Sequence, residues 1–216
     1  MNYIFAMGMY RSGTNYLQQL FDKNFKNNSG KIQKYTLEGK LYKHCLHDSW
    51  YNKMPNDVVP VIIYKDPYKW IDSLCRKSYD LELFYDVHYE TGHAEIYLPF
   101  EDPDNEGYIA EVRCSVEKLC KLYNRYFAYW SNKNVEMVSH KKIICETENC
   151  LSYFENKYSL QRINEKFTML KIDEVDGSRP FTQQVKLYYD SNKIENLNEV
   201  QIKTIKSTIS VKLKEF

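Results

Sequence analysis

Val58-Val59-Pro60-Val61-Ile62-Ile63-Tyr64 is apolar without interruption. A strand with one wet face alternates apolar and polar residues, whereas a strand covered on both faces has no need to. The run therefore predicts a parallel strand buried on both sides, with Pro60 near its start, where a missing N–H is best tolerated. A shorter apolar run, Tyr3-Ile4-Phe5-Ala6-Met7, ends at Gly8 and reads as a second buried strand. Residues 15–21 place apolar side chains at Tyr16, Leu17, Leu20 and Phe21, one face of a helix. The chain thus opens strand, turn, helix.

Further on, residues 70–77 predict a helix with Pro67 at or before its first turn. Residues 115–130 form an amphipathic helix with Val116, Leu119, Cys120, Tyr123, Phe127 and Trp130 as its stripe. Residues 135–138 and 167–172 read as strands, 151–158 and 198–213 as helices, and 41–44 as a short strand end. Strands alternating with helices argue for an α/β fold, a three-layer sandwich with a mostly parallel central sheet. A length of 216 residues suits one domain, 1–216. Residues 79–112, rich in Tyr, acidic residues and turn formers with no clean period, read as an insertion or lid.

Composition narrows the function. Lys plus Arg is 30 against 29 Asp plus Glu, and a net charge of +1 supplies no general basic field for duplex nucleic acid. No stretch approaches the roughly 18 apolar residues of a membrane span. The start, MNYIFAMGMYRSG, lacks a basic n-region and a small-residue cleavage site. Six cysteines without a C-x-x-C pair then predict reduced thiols and a cytoplasmic protein.

Two motifs carry chemistry. Gly8-Met9-Tyr10-Arg11-Ser12-Gly13-Thr14-Asn15 joins the first strand to the first helix, where backbone N–H groups and the helix dipole favour an anion. Its glycine spacing is that of the phosphate-binding G-x-x-x-x-G-K-[ST] loop. Thr14 stands in place of the Lys, however, and Asn15 in place of the magnesium-binding hydroxyl. The cation is Arg11 instead, inside the turn. An ordinary nucleoside triphosphatase is thereby disfavoured, and the dinucleotide fingerprint is absent. The second motif is Lys65-Asp66-Pro67 after the central strand, with Ser73 on the following helix. Open α/β sheets bind ligands beyond the carboxyl ends of their strands, so both motifs predict one crevice.

Together the motifs resemble the sulfotransferase family, which uses 3′-phosphoadenosine 5′-phosphosulfate (PAPS). Arg11-Ser12-Gly13-Thr14 is similar to its 5′-phosphosulfate loop, and Lys65-x-Pro67-x₅-Ser73 to its 3′-phosphate motif, with Lys in place of the usual Arg. The likeness covers residues 8–73; Tyr188-Tyr189 and the last helix add a weaker match. It implies PAPS as co-substrate. The amides of Ser12, Gly13 and Thr14 would hold the 5′-phosphate, helped by the side chains of Thr14 and Asn15. Arg11 would contact the phosphosulfate, and Tyr16 falls where the family often stacks a Trp on adenine. Lys65 and Ser73 would bind the 3′-phosphate, although a lysine is a point charge without the bidentate fork of arginine. Arg179 is a candidate extra phosphate contact.

Sulfuryl transfer needs donors for the developing charge and a base for the acceptor proton. The sulfuryl group carries less charge than a phosphoryl group, so the chemistry calls for no metal. By the same resemblance Lys43-His44 supplies both needs: His44 as general base, Lys43 stabilising the bridge oxygen. His47 and Glu38 are alternatives for the base. The acceptor would be the hydroxyl or amine of a small molecule or carbohydrate. A degenerate phosphate-loop kinase and a non-catalytic nucleotide-binding protein are the other two readings.

Overall fold

In a computed structural model of the chain, the described residues are 2–9, 11–41, 43–44, 48–76, 85–88, 93–101, 109–114, 116–170, 194 and 197–213. Their elements, in chain order, begin with β1 (Tyr3–Met7), α1 (Thr14–Asn24), α2 (Asn28–Leu37), α3 (Asp48–Lys53), β2 (Val58–Tyr64) and α4 (Pro67–Arg76). Then come β3 (Tyr85–His88), β4 (His93–Glu101), β5 (Ile109–Cys114), α5 (Val116–Ser131) and β6 (Glu136–Ser139). The chain closes with α6 (His140–Cys145), α7 (Thr147–Tyr158) and α8 (Glu199–Thr208). The fold is α/β. It groups into two compact units, one drawn from Met1–Tyr64 and Val135–Asn192, the other from Lys65–Asn134 and Lys193–Lys214. No helix among the described residues is long and apolar enough to cross a membrane.

The first unit is built on a three-stranded, all-parallel sheet in the order β1-β2-β6. β2 lies in the middle and is buried at every position but Val59, as its unbroken apolar run requires. Pairing with β1 runs from Tyr3↔Val58 to Met7↔Ile62, whereas pairing with β6 starts only at Val61↔Glu136. Pro60 therefore precedes the second ladder, which explains how a proline fits a central strand. The stripe of α1 packs Leu17, Leu20 and Phe21 into one core with Ile4, Val61, Ile63, Val138 and Phe154. The Phe21 and Phe154 rings meet edge to face at 5.2 Å.

β1 is an edge strand whose outer side is closed by side chains. The Asn28 amide accepts from Ile4 N–H at 2.7 Å and donates to Ile4 O at 3.1 Å, as a neighbouring strand would. Gln18 Oε1 accepts from Ala6 N–H at 2.8 Å. Two amide side chains thus blunt an edge that would otherwise be open for pairing. Asn28→Ala leaves the N–H and C=O of buried Ile4 without those partners. It is expected to cost about 2 kcal/mol in urea unfolding.

In the second unit the stretch expected to lack a period contains an antiparallel sheet, β3-β4-β5, with Tyr85↔Ile96 and Ile96↔Cys114 in register. The alternation of Ile96, Leu98 and Phe100 with Glu95 and Tyr97 is a strand period obscured by the abundance of tyrosine. The stripe on α5 holds: Tyr123 packs on Trp70 of α4 at 5.6 Å and on Phe127 at 4.5 Å.

Three expectations are corrected. Residues 43–44 form a turn, not a strand end. Residues 167–170 are not a strand, because Asn24 takes both backbone groups of Thr168, accepting from its N–H at 2.6 Å and donating to its O at 2.9 Å. The last helix ends at Thr208, short of residue 213. There Asn124 donates to Thr208 O at 2.7 Å and accepts from the N–H groups of Ser210 and Val211, turning the chain out of the helix.

Candidate functional site

The turn between β1 and α1 has an unusual backbone. Arg11 (φ 63°) and Gly13 (φ 104°) are both left-handed, on either side of Ser12. For arginine this is an uncommon conformation, of the kind retained at ligand sites. Alternating handedness also curls a backbone into the concavity that holds anions. Gly8 allows the start of the turn to sit against β2, since a Cβ there would lie 2.5 Å from Ile63 O and 2.5 Å from Ser12 Oγ.

The donors divide into two groups. Ser12 turns inward: its N–H (3.1 Å) and its Oγ (2.7 Å) both donate to Met9 O, so the residue ties the turn together. The first bond of the α1 ladder runs from Leu17 N–H to Gly13 O, so the amides of Thr14, Asn15 and Tyr16 precede it. Gly13 is the N-cap and no side chain caps it. The positive end of the helix dipole is therefore presented by backbone alone.

The turn at 43–44 is fastened to this structure at three points. Gly8 N–H donates to Lys43 O at 2.9 Å, and the His44 ring bonds Gly8 O through Nδ1 at 2.7 Å. Lys43 Nζ donates to Asn15 Oδ1 at 2.7 Å, which delivers a cation to the α1 N-terminus from a different segment. Since a carbonyl only accepts, Nδ1 carries the proton and Nε2 is the basic nitrogen. His44 is only 9% exposed, and burial pushes its pKa down to about 4, with Lys43 adding to the effect and the Gly8 bond opposing it. The imidazole is neutral at pH 7.

The other expected residues are placed as follows. Tyr16 is buried in the core with its pKa raised by that burial. Its hydroxyl bonds Thr147, whose own Oγ1 donates to Ile143 O. The ring belongs to the core cluster of the first unit. Glu38 is the exposed C-cap of α2, held in its charged form by Lys40 at 2.7 Å, and so is a weak proton acceptor. Lys65 and Ser73 belong to the second unit. Tyr123 OH donates to Lys65 O at 2.7 Å, and buried Ser73 donates its hydroxyl to Trp70 O at 2.7 Å within α4. His47, Arg179 and Tyr188-Tyr189 lie outside the described residues.

One residue at the site was not singled out from the sequence. His140, the first residue of α6, is 6% exposed, and a Cβ on Gly13 would lie 2.4 Å from its Cδ2. Nothing local marks it, since Gly13 and His140 meet only because β6 is in the same sheet as β1 and β2. No protein-family description matches the chain, and no curated protein or solved structure does either.

Proposed function

We propose that the protein is a sulfotransferase that moves a sulfuryl group from PAPS to a hydroxyl or amine of a small-molecule or carbohydrate acceptor. The observation that carries this reading is the junction of the two segments. The 43–44 turn brings a lysine to the α1 N-terminus through Asn15 and a neutral histidine to Gly8. Thr14 stands where the phosphate-binding loop pattern has its lysine, and Arg11 and Lys43 supply positive charge from inside the turn and from across it.

In this reading the α1 N-terminal amides and Arg11 hold the 5′-phosphosulfate. The acceptor oxygen or nitrogen attacks sulfur in line, its proton passes to His44 Nε2, and Lys43 Nζ stabilises the departing bridge oxygen. A dianion beside His44 favours the imidazolium and raises its proton affinity during the reaction. The family's sandwich architecture and phosphate loop enter as part of the same proposal.

Calorimetric titration with 3′-phosphoadenosine 5′-phosphate tests the reading, followed by transfer of labelled sulfate to a panel of sugars, phenols and amines. Absence of binding would sink it. Binding without transfer to any acceptor would favour a non-catalytic nucleotide-binding protein. The second motif has its own test. Lys65→Ala is expected to weaken the bisphosphate about tenfold and adenosine 5′-phosphate hardly at all, because only the former carries a 3′-phosphate for a lysine to meet.

A further inference from the structure

We infer that His140 is a positioning residue for the anion-binding turn: its ring is the wedge that keeps Gly13 left-handed and so aims the α1 N-terminus at a tetrahedral oxyanion. The inference rests on the proposal that this turn binds the phosphosulfate end of a nucleotide.

Glycine occupies many backbone conformations at similar energy, so φ 104° and ψ 21° at Gly13 are not dictated by the residue itself. No capping side chain holds it either. What does lie against it is the edge of His140: a Cβ on Gly13 would stand 2.4 Å from Cδ2 and 2.9 Å from Nε2, with Ile63 Cδ1 next at 3.4 Å. The imidazole also lies near Tyr16, with ring centroids 6.4 Å apart and planes at 58°. Tyr16 is fixed in turn by Thr147. The ring thus stands beside both the N-cap of α1 and a residue of its first turn.

His140 is itself rigidly placed. It follows β6 directly, and Ser139 caps α6 by accepting from Lys142 N–H at 3.1 Å. The strand is paired to β2 up to Tyr64↔Ser139. The wedge therefore transmits the geometry of the sheet to the turn. A turn held in its binding conformation before the anion arrives binds it more tightly than one that must be ordered on arrival.

The test compares local and global stability in His140→Ala. Leu17 N–H donates to Gly13 O, while Phe25 N–H donates to Phe21 O at the far end of the same helix. Hydrogen exchange at Leu17 is expected to accelerate at least tenfold relative to Phe25. A residue that merely filled space would change both alike through global unfolding, and equal changes would overturn the inference. If the alanine variant fails to fold, His140→Asn withdraws the ring edge with a smaller loss of volume and is read in the same way.

The second readout is binding of 3′-phosphoadenosine 5′-phosphate, expected to weaken at least tenfold in the variant. Unchanged affinity would also overturn the inference. If the wild-type protein does not bind the nucleotide but Leu17 still loses protection selectively, the sulfotransferase reading fails and the positioning role of His140 stands.

Discussion

Gly8→Ala is expected to lower stability by about 3 kcal/mol and, on the proposed function, to abolish binding of 3′-phosphoadenosine 5′-phosphate. The added methyl would sit 2.5 Å from Ile63 O, a backbone atom of the central strand, and 2.5 Å from Ser12 Oγ. Neither can give way cheaply. Ile63 is paired to Val138 in the sheet, and Ser12 Oγ is bonded to Met9 O at 2.7 Å. Gly8 must then move, and with it the bonds to Lys43 and His44 that hold the 43–44 turn. Urea unfolding measures the effect, and Gly30→Ala is the control. Gly30 lies within α2 with nothing within 4 Å of its added Cβ, so alanine there is expected to stabilise by about 0.5–1 kcal/mol. Equal effects at the two glycines would show that the close approach at Gly8 is not what constrains the turn.

The second large effect is a loss of stability in acid that depends on His44. The imidazole has its pKa lowered from 6.5 to about 4 in the folded protein. The unfolded chain therefore takes up this proton first as the pH falls. Stability is intact above about pH 6.5, declines between there and about pH 4, and is level with respect to this group below that. The full loss is about 3 kcal/mol. His44→Asn keeps an N–H that can donate to Gly8 O and removes the titration. The difference between wild-type and variant unfolding free energies, followed from pH 7 to pH 4, isolates this group from the carboxylates that titrate over the same range. A difference that does not vary with pH would mean that His44 is not held neutral by burial. On the proposed sulfotransferase function, the same variant is expected to lose most sulfuryl transfer at pH 7, since Asn cannot accept the proton.

Much of the first unit was legible because it follows from local patterns. The apolar runs at 3–7 and 58–64 became β1 and β2, and the glycine-spaced turn was legible as the junction between β1 and α1. Lys43 and His44 were recognised by type and place, and they do meet the turn, yet as part of a turn and not of a strand. Tyr16 shows what residue matching leaves out, namely the burial of a matched position. Its position fits a stacking aromatic, but on α1 it falls on the core side with Leu17 and Leu20. α2 went unread, because the Asn27-Asn28-Ser29-Gly30 segment looks like a break. In the fold Asn27 is left-handed at the N-cap, and Asn28 starts the helix while pairing with β1.

Sequence alone determined what each segment could be: which runs must be buried, which turn must be tight, and which residue types could meet an anion. Those properties depend on neighbours a few positions away, through hydrophobic period and backbone sterics. Only the tertiary structure decided which segments meet. It set Asn28 along the edge of β1, Asn124 across the end of α8, His44 on Gly8 and His140 against Gly13. Each of these contacts joins residues distant in the chain, and packing of the whole unit, not any local preference, brings them within reach.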